Sequence, residues 1–195
     1  MTFPETLGLL SGVFLIAGYV PYGIDVLRRK TIPSRASWLI WSLSTLLILF
    51  GVHATGTHEA IWVPIADAVG CSLIFCLSIF FGVGGWSKTD QLSFLICAAS
   101  VLILFVTDTI LITLLMNLGI YVSGYISTIK KAITDPKSES LFAWSLFFVG
   151  VLVNLLTVAI GTDAGLVVWL YPVVLVATVG TLYFFLLRPY IKALS

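Results

Sequence analysis

The chain has 195 residues, of which 59% are apolar and only 10% are charged, and its mean hydropathy is +1.12. Soluble domains carry about 25% charged residues, so this composition excludes an ordinary soluble domain and predicts a protein of the lipid bilayer. The formal net charge is +1. The few basic residues lie in short loops, which argues against nucleic acid as a partner.

Seven apolar runs follow one another along the chain. A helix that spans a bilayer needs about 17–25 mainly apolar residues. The second and fourth runs are the shortest, so the apolar pattern defines their ends only to within several residues. The sequence therefore predicts an all-α, polytopic membrane protein with seven transmembrane helices. The runs are Leu7–Leu27, Trp38–Val52, Ile61–Val83, Leu92–Val106, Ile110–Ile129, Leu141–Ile160 and Ala164–Leu187.

The basic residues support this number of helices. Lys and Arg occur only in alternate connections: four in the first loop, one in the third, three in the fifth and two in the C-terminal tail, which accounts for all 10. Basic residues mark the cytoplasmic side of a membrane, and one helix more or fewer would scatter them over both sides. We therefore expect the N-terminus outside and the C-terminus in the cytoplasm, in a bacterial inner membrane.

A short pattern occurs twice and predicts an internal duplication. Two eleven-residue windows, which begin at Pro33 and Pro136 and so lie 103 positions apart, hold Pro, Ser, Trp, Ser and Leu in the same five slots. Since one linker helix gives both halves the same orientation, the repeats are expected to be parallel, with a site between them. The predicted units are residues 1–88, the linker helix 89–108 and residues 109–195, with the turn at Asp108.

Polar side chains within the apolar runs are the candidates for chemistry. An ionised Asp near the middle of a span costs about 2.5–3.5 kcal/mol, so Asp67 must face the bundle interior, a partner or water. No Lys or Arg lies in a predicted outer loop to pair with it. Asp67 is either a ligand for a substrate or a proton, or a protonated group that hydrogen-bonds a neighbouring helix. Asn117 and Asn154 either join helices or line the path of a solute.

Tryptophans occur at matching positions near the predicted membrane surfaces. Trp62 and Trp169 lie near the outer face, where an aromatic belt is the default interpretation and stacking on a substrate is the alternative. Trp41 and Trp144 lie near the inner ends of two runs, and the belt is the default interpretation there as well.

Five residues are candidates for gates or hinges. Pro21, Pro64 and Pro172 lie within apolar runs, where proline removes a backbone donor and can kink a helix. Tyr22 and Tyr125 occupy matching positions in the two halves. Kinked helices are typical of bundles that rock during transport, although prolines are also common in static membrane helices.

Several other chemistries find no support in the sequence. Only two histidines, His53 and His58, are present, so no His-rich metal cluster is expected, and there is no GxSxG or P-loop motif. A seven-helix retinal protein needs a lysine in its last helix, but none occurs in the last apolar run. We therefore predict that the chain is not an enzyme and holds no cofactor and no metal.

One segment resembles a known family. Residues 21–31, followed by Ser37 and Trp41, resemble the Pro-Gln motif, basic run and following Ser of the PQ-loop and SWEET superfamily, although Tyr22 stands where the family has Gln. The stretch Asp-Ala-Val-Gly at residues 67–70 is similar to the Asn-x-x-Gly of the family's third helix, whose Asn helps to bind sugar.

The resemblance implies a fold and a function. It implies three helices, a linker helix and three helices, with the N-terminus outside, and transport of a sugar-like or similar small polar solute by alternating access. Asp67 would then contact the solute or a coupling proton, while Asn117, Asn154, Trp62 and Trp169 would line the path. A receptor or sorting protein on the same fold, or a transporter of a vitamin precursor, stays open. The expected partners are the solute and the bilayer, and a homo-oligomer stays open.

Overall fold

A computed structural model of the chain describes residues 2–83, 88–107, 110–161 and 165–192. Within these ranges the chain forms seven α-helices, one 3-10 turn and no β-strand. The helices are α1 Phe3–Leu27, α2 Arg35–Ala54, α3 Trp62–Phe81, α4 Lys88–Thr107, α5 Ile110–Thr134, α6 Leu141–Gly161 and α7 Leu166–Lys192, and the 3-10 turn is Pro136–Ser138.

The predicted all-α class is confirmed, and the long apolar helices are consistent with a polytopic membrane protein. Each apolar run coincides closely with one helix. Among the residues that the structure describes, six helices are long and apolar enough to cross a bilayer, while α4 contributes a shorter apolar stretch, Phe94–Ile103. Such helices are typical of an integral membrane protein, because only a helix satisfies all of its own backbone polar groups in lipid. The turn expected at Asp108 lies outside the described residues.

Hydrogen bonds cap the start of α1 and hold the first basic loop in place. Thr2 and Glu5 form a reciprocal capping box at the start of α1. After α1, Arg29 adopts a left-handed conformation with φ of 55°, and the next two backbone N–H groups donate to the carbonyl of Asp25. The backbone around Pro33 then pairs with Val83 just beyond α3, which ties that loop to the end of a second helix.

Six helices surround a common interior, and α4 lies outside this group. Helix α1 packs against α3 and α6, α2 packs against α3 and α5, and α7 packs against α5 and α6, whereas α4 contacts α5 and α2. Small residues permit the close approach of α1 and α6. The side chain of Leu15 lies on Gly150, and the ring of Phe147 lies on Gly18.

The distribution of polarity is that of a membrane protein. Large apolar side chains cover the outer faces of the helices, with Phe80 77% and Val106 83% exposed. Polar side chains, including Ser11, Asp67 and Asn154, are buried inside. Lipid solvates the apolar exterior, so the polar interior is where partners for a solute are to be sought.

Candidate functional site

A small cavity lies at the centre of the six-helix group. Its volume, taken as the space open to the centre of a water-sized sphere, is about 20 Å³. This is room for about one water molecule. Every helix except α4 contributes to its wall among the described residues. The lining consists of Leu15, Tyr19, Trp38, Trp41, Asp67, Cys71, Tyr121, Tyr125, Trp144, Phe147, Val151, Leu175 and Val179.

Asp67 is the carboxylate of this cavity, and three tyrosines surround it. The Tyr19 hydroxyl on α1 donates to Asp67 Oδ1 over 2.8 Å, and the Tyr121 hydroxyl on α5 donates to Oδ2 over 3.4 Å. The Tyr171 hydroxyl on α7 makes a short hydrogen bond to the same Oδ2. We call these four residues the Asp67–tyrosine cluster.

The cluster explains how an acidic side chain is accommodated in the bundle. Asp67 is only 3% exposed, and a buried polar group without partners is strongly disfavoured. Its partners come from three other helices and are all neutral hydroxyl donors. Within the described part of the chain, no cationic side chain forms an ion pair with Asp67. The carboxyl group is therefore hydrogen-bonded on both oxygens but has no counter-ion.

Gly70 permits this arrangement. The ring of Tyr19 lies directly on Gly70, in the space that a Cβ atom would occupy. Gly70 is one turn along α3 from Asp67, so a ring resting there can extend its hydroxyl back to the carboxylate. The same hydroxyl lies 3.3 Å from the Cys71 sulfur. The Asp-x-x-Gly spacing of α3 thus has a packing reason that is independent of any ligand.

Six aromatic side chains form a closed series of ring contacts around the cavity. Consecutive ring centroids lie between 4.8 and 6.5 Å apart, and most pairs meet edge to face, a favourable geometry for aromatic rings. We call this series the aromatic collar. Its members, in order, are Tyr19, Trp38, Trp41, Tyr125, Trp144 and Phe147.

The two repeated tryptophans are fixed in the collar by hydrogen bonds. The Trp41 indole N–H donates to the Tyr121 carbonyl, and the Trp144 indole N–H donates to the Glu139 carboxylate, each over 3.2 Å. Trp41 also lies directly on Gly124 of α5. The belt interpretation of Trp41 and Trp144 is therefore wrong, because they are only 5% and 4% exposed and face the interior rather than the membrane surface.

The two predicted asparagines lie in different environments. Asn117 is buried, but it joins α5 to α4: its amide donates to the Ser100 hydroxyl over 2.9 Å and to the Thr113 carbonyl over 2.8 Å. Asn154 is 1% exposed, and neither its oxygen nor its nitrogen has a hydrogen-bond partner among the described residues. It lies three residues beyond the cavity residue Val151, on the same face of α6.

The other predicted tryptophans lie outside the cavity wall. Trp62 begins α3, and its backbone and side chain pack beside Gly12 of α1. Trp169 is half-buried and packs against the aliphatic and aromatic core. Their role in lining a solute path stays a prediction.

The gate candidates also occupy different environments. Tyr125 lines the cavity, and Tyr22 is buried beside Trp38 with ring centroids 5.2 Å apart. Pro21 and Pro172 lie inside α1 and α7. Pro64, by contrast, is the third residue of α3, where no backbone donor has an intrahelical acceptor. Pro64 therefore removes no intrahelical hydrogen bond, and its role as a hinge stays a prediction.

Sequence reasoning missed all three hydrogen-bond partners of Asp67. Residue type alone does not mark Tyr19, Tyr121 or Tyr171 as site residues, because tyrosine is also common where a membrane helix meets the membrane–water interface. One signal was present: Tyr121 and Tyr125 are four residues apart and so share a face of α5.

Comparison with protein-family models, with curated proteins and with solved structures finds no match for this chain. Within the described residues no group of three or more His, Cys, Asp or Glu side chains is placed to hold a metal ion. The cavity instead offers one carboxylate, several hydroxyls and an aromatic wall, which are groups that bind a small molecule non-covalently.

Proposed function

We propose that the chain is a membrane transporter for a small polar solute, working by alternating access between two three-helix units joined by α4. The observation that carries the proposal is the Asp67–tyrosine cluster at the centre of the bundle. An acidic side chain buried in a membrane bundle is a functional-site hypothesis by default. Here it borders a cavity to which six helices contribute.

The packing of the helices supports a duplicated unit. When α1, α2 and α3 are exchanged for α5, α6 and α7, the principal contacts map onto one another: α1–α3 onto α5–α7, α2–α3 onto α6–α7, and α1–α6 onto α5–α2. Two pairs of buried aromatic residues, Tyr22 with Tyr125 and Trp41 with Trp144, share the 103-residue offset. Parallel repeats with a site at their interface are a known transporter architecture. On this proposal the fold is of the PQ-loop and SWEET kind.

The hydrogen bonds of the cluster cross between the proposed units. Asp67 and Tyr19 belong to the first unit, whereas Tyr121 and Tyr171 belong to the second. Separation of the units would break the bonds from Tyr121 and Tyr171 and leave Asp67 ready to bind a solute. The cavity now has room for about one water, so a larger solute enters only when the units move apart. The unpartnered amide of Asn154 is a further polar group for such a solute.

The native cysteines permit a test that needs no knowledge of the solute. Cys71 lines the cavity, whereas Cys97 is buried in a separate small cluster with Ile40 and Ile120. A Cys76→Ser, Cys97→Ser variant keeps Cys71 alone, and a Cys71→Ser, Cys76→Ser variant keeps Cys97 alone as the matched control. Both would be treated in vesicles with a membrane-impermeant thiol reagent, added to one side at a time.

Alternating access predicts that Cys71 is modified from either side of the membrane and that Cys97 is modified from neither. Modification of Cys71 from one side only would favour the receptor or sorting function, because a receptor needs only one entrance. If Cys71 reacts from neither side, the cavity does not open and the transport proposal fails.

A further inference from the structure

Resting on the transport function proposed above, we infer that the central cavity binds a compact organic ammonium cation, with Asp67 as its counter-ion and the aromatic collar as its cage. The sequence resemblance points instead to a neutral, sugar-like solute. Three features of the cavity wall favour the cation.

The first feature is the charge of the wall. Among the described residues, Asp67 is the only acidic residue in the lining, and no Lys, Arg or His accompanies it. Acidic side chains buried for structural reasons are usually paired with a cation of the protein. The partners of Asp67 are neutral hydroxyls. A cationic solute supplies the missing positive charge, whereas a neutral solute leaves an ionised Asp67 uncompensated.

The second feature is the aromatic collar. Quaternary ammonium groups are recognised by cages of aromatic rings, because the electron-rich ring faces attract a cation. All six collar residues line the same cavity as Asp67. Tyr19 belongs to both groups: its hydroxyl donates to Asp67, and its ring meets Phe147 with centroids 4.8 Å apart. The carboxylate and the cage are therefore directly adjacent.

The third feature is that the polar groups of the wall are already engaged. The hydroxyls of Tyr19 and Tyr121 donate to Asp67, and the Tyr125 hydroxyl lies 3.4 Å from that of Tyr121. The indole N–H of Trp41 already donates to the Tyr121 carbonyl, and that of Trp144 donates to Glu139. The four aliphatic lining residues, which include Leu15 and Val179, offer no hydrogen bond. A solute with many hydroxyls would leave most of them unsatisfied in this wall, and this is strongly disfavoured. A compact cation with an apolar surface makes no such demand.

The inference can be tested with choline and its uncharged isostere. Choline and 3,3-dimethylbutan-1-ol have nearly the same shape, but only choline carries a charge. Purified full-length protein in detergent would be titrated with each compound, with glucose as the sugar comparison. Binding would be followed by intrinsic tryptophan fluorescence and by the melting temperature, since a ligand that binds the folded state raises it. We expect choline to quench the fluorescence and raise the melting temperature, and to bind at least tenfold more tightly than the isostere or glucose.

Two substitutions test whether the charge of Asp67 is responsible for choline binding. Asp67→Asn keeps the size of the side chain and removes the charge, so choline binding should weaken at least tenfold. Asp25→Asn is the matched control, because Asp25 is on α1 but does not line the cavity, and it should leave binding unchanged. If Asp67→Asn does not fold, the comparison of choline with its isostere on the native chain still decides.

The outcomes separate the two proposals. Equal binding of choline and the isostere, or tighter binding of glucose than of choline, overturns the cation inference, whatever the labelling of Cys71 shows. An Asp67→Asn variant that folds and binds choline as tightly as the native chain also overturns it. Selective choline binding with Cys71 accessible from one side only upholds the cation site and refutes transport.

Discussion

Gly70 provides a sharp test of the Asp67–tyrosine cluster. The ring of Tyr19 occupies the space that a Cβ atom at residue 70 would need. That ring has little freedom to move, because Phe147 packs on it at 4.8 Å and Trp38 at 6.5 Å between centroids. Gly70→Ala should therefore displace Tyr19 and break its hydrogen bond to Asp67.

The magnitude follows from two effects at this position. Overpacking by one methyl group costs about 1–3 kcal/mol. Loss of a hydrogen bond to an ionised carboxylate costs about 1.5–3 kcal/mol more. The two costs overlap in part, so we expect Gly70→Ala to lower the free energy of unfolding by about 2–5 kcal/mol. A protonated Asp67 would place the loss at the lower end of that range.

Gly119 is the matched control. It lies within α5, and nothing is within 4 Å of the position where its Cβ would stand. Since alanine is a better helix former than glycine by about 0.5–1 kcal/mol, Gly119→Ala should be neutral or stabilising. The assay is thermal and denaturant unfolding of both variants in the same detergent.

A double variant identifies Tyr19 as the cause. Tyr19→Ala removes the ring. Gly70→Ala should therefore destabilise the Tyr19→Ala variant far less than it destabilises the native chain. If Gly70→Ala proves no more destabilising than Gly119→Ala, or if the costs of Gly70→Ala and Tyr19→Ala simply add, then the packing of Tyr19 on α3 is wrong.

Three further substitutions distinguish residues that hold the bundle together from residues that serve a solute. Tyr171→Phe removes one hydroxyl donor from Asp67 and should lower the free energy of unfolding by about 1.5–3 kcal/mol. An unchanged free energy of unfolding would mean that this hydrogen bond contributes nothing to stability. Asn154→Leu replaces a buried amide that has no partner, so it should raise the melting temperature by removing a desolvation cost of about 1–3 kcal/mol while reducing solute binding. A lower melting temperature would show that Asn154 has a structural partner. Asn117→Ala removes the amide that joins α4 and α5 and should cost about 0.6–2 kcal/mol of stability without altering solute binding; altered binding in a fully folded variant would place Asn117 on the solute path after all.

The helices of this protein are largely a property of the sequence. In lipid a chain has no water to satisfy its backbone, so each long apolar run must become a helix. The runs ending at Leu27 and Ile160 end within one residue of α1 and α6. Several helices extend past their runs, as Arg35 at the start of α2 and Lys192 at the end of α7 show, because polar residues continue a helix at the edge of the bilayer.

The sequence also identified Asp67, because a carboxyl group within a long apolar run is costly unless it finds a partner or water, and both its type and its place in the run can be read from the sequence. Its partners could not be identified in this way. Tyr19, Tyr121 and Tyr171 lie on three different helices, and which helix faces turn toward Asp67 depends on how those helices rotate and pack.

The sequence also cannot tell apart two residues of the same type that have different roles in the folded bundle. Asn117 and Asn154 are both buried amides in apolar helices, yet one joins α4 to α5 and the other has no partner. Trp41 and Trp144 lie near the ends of their apolar runs, where a surface belt is expected, but they form part of an interior collar. Composition and periodicity determined which segments enter the membrane, because that choice is made between each segment and its solvent. Only the tertiary structure decided which side chains meet, because contact depends on the neighbouring helices.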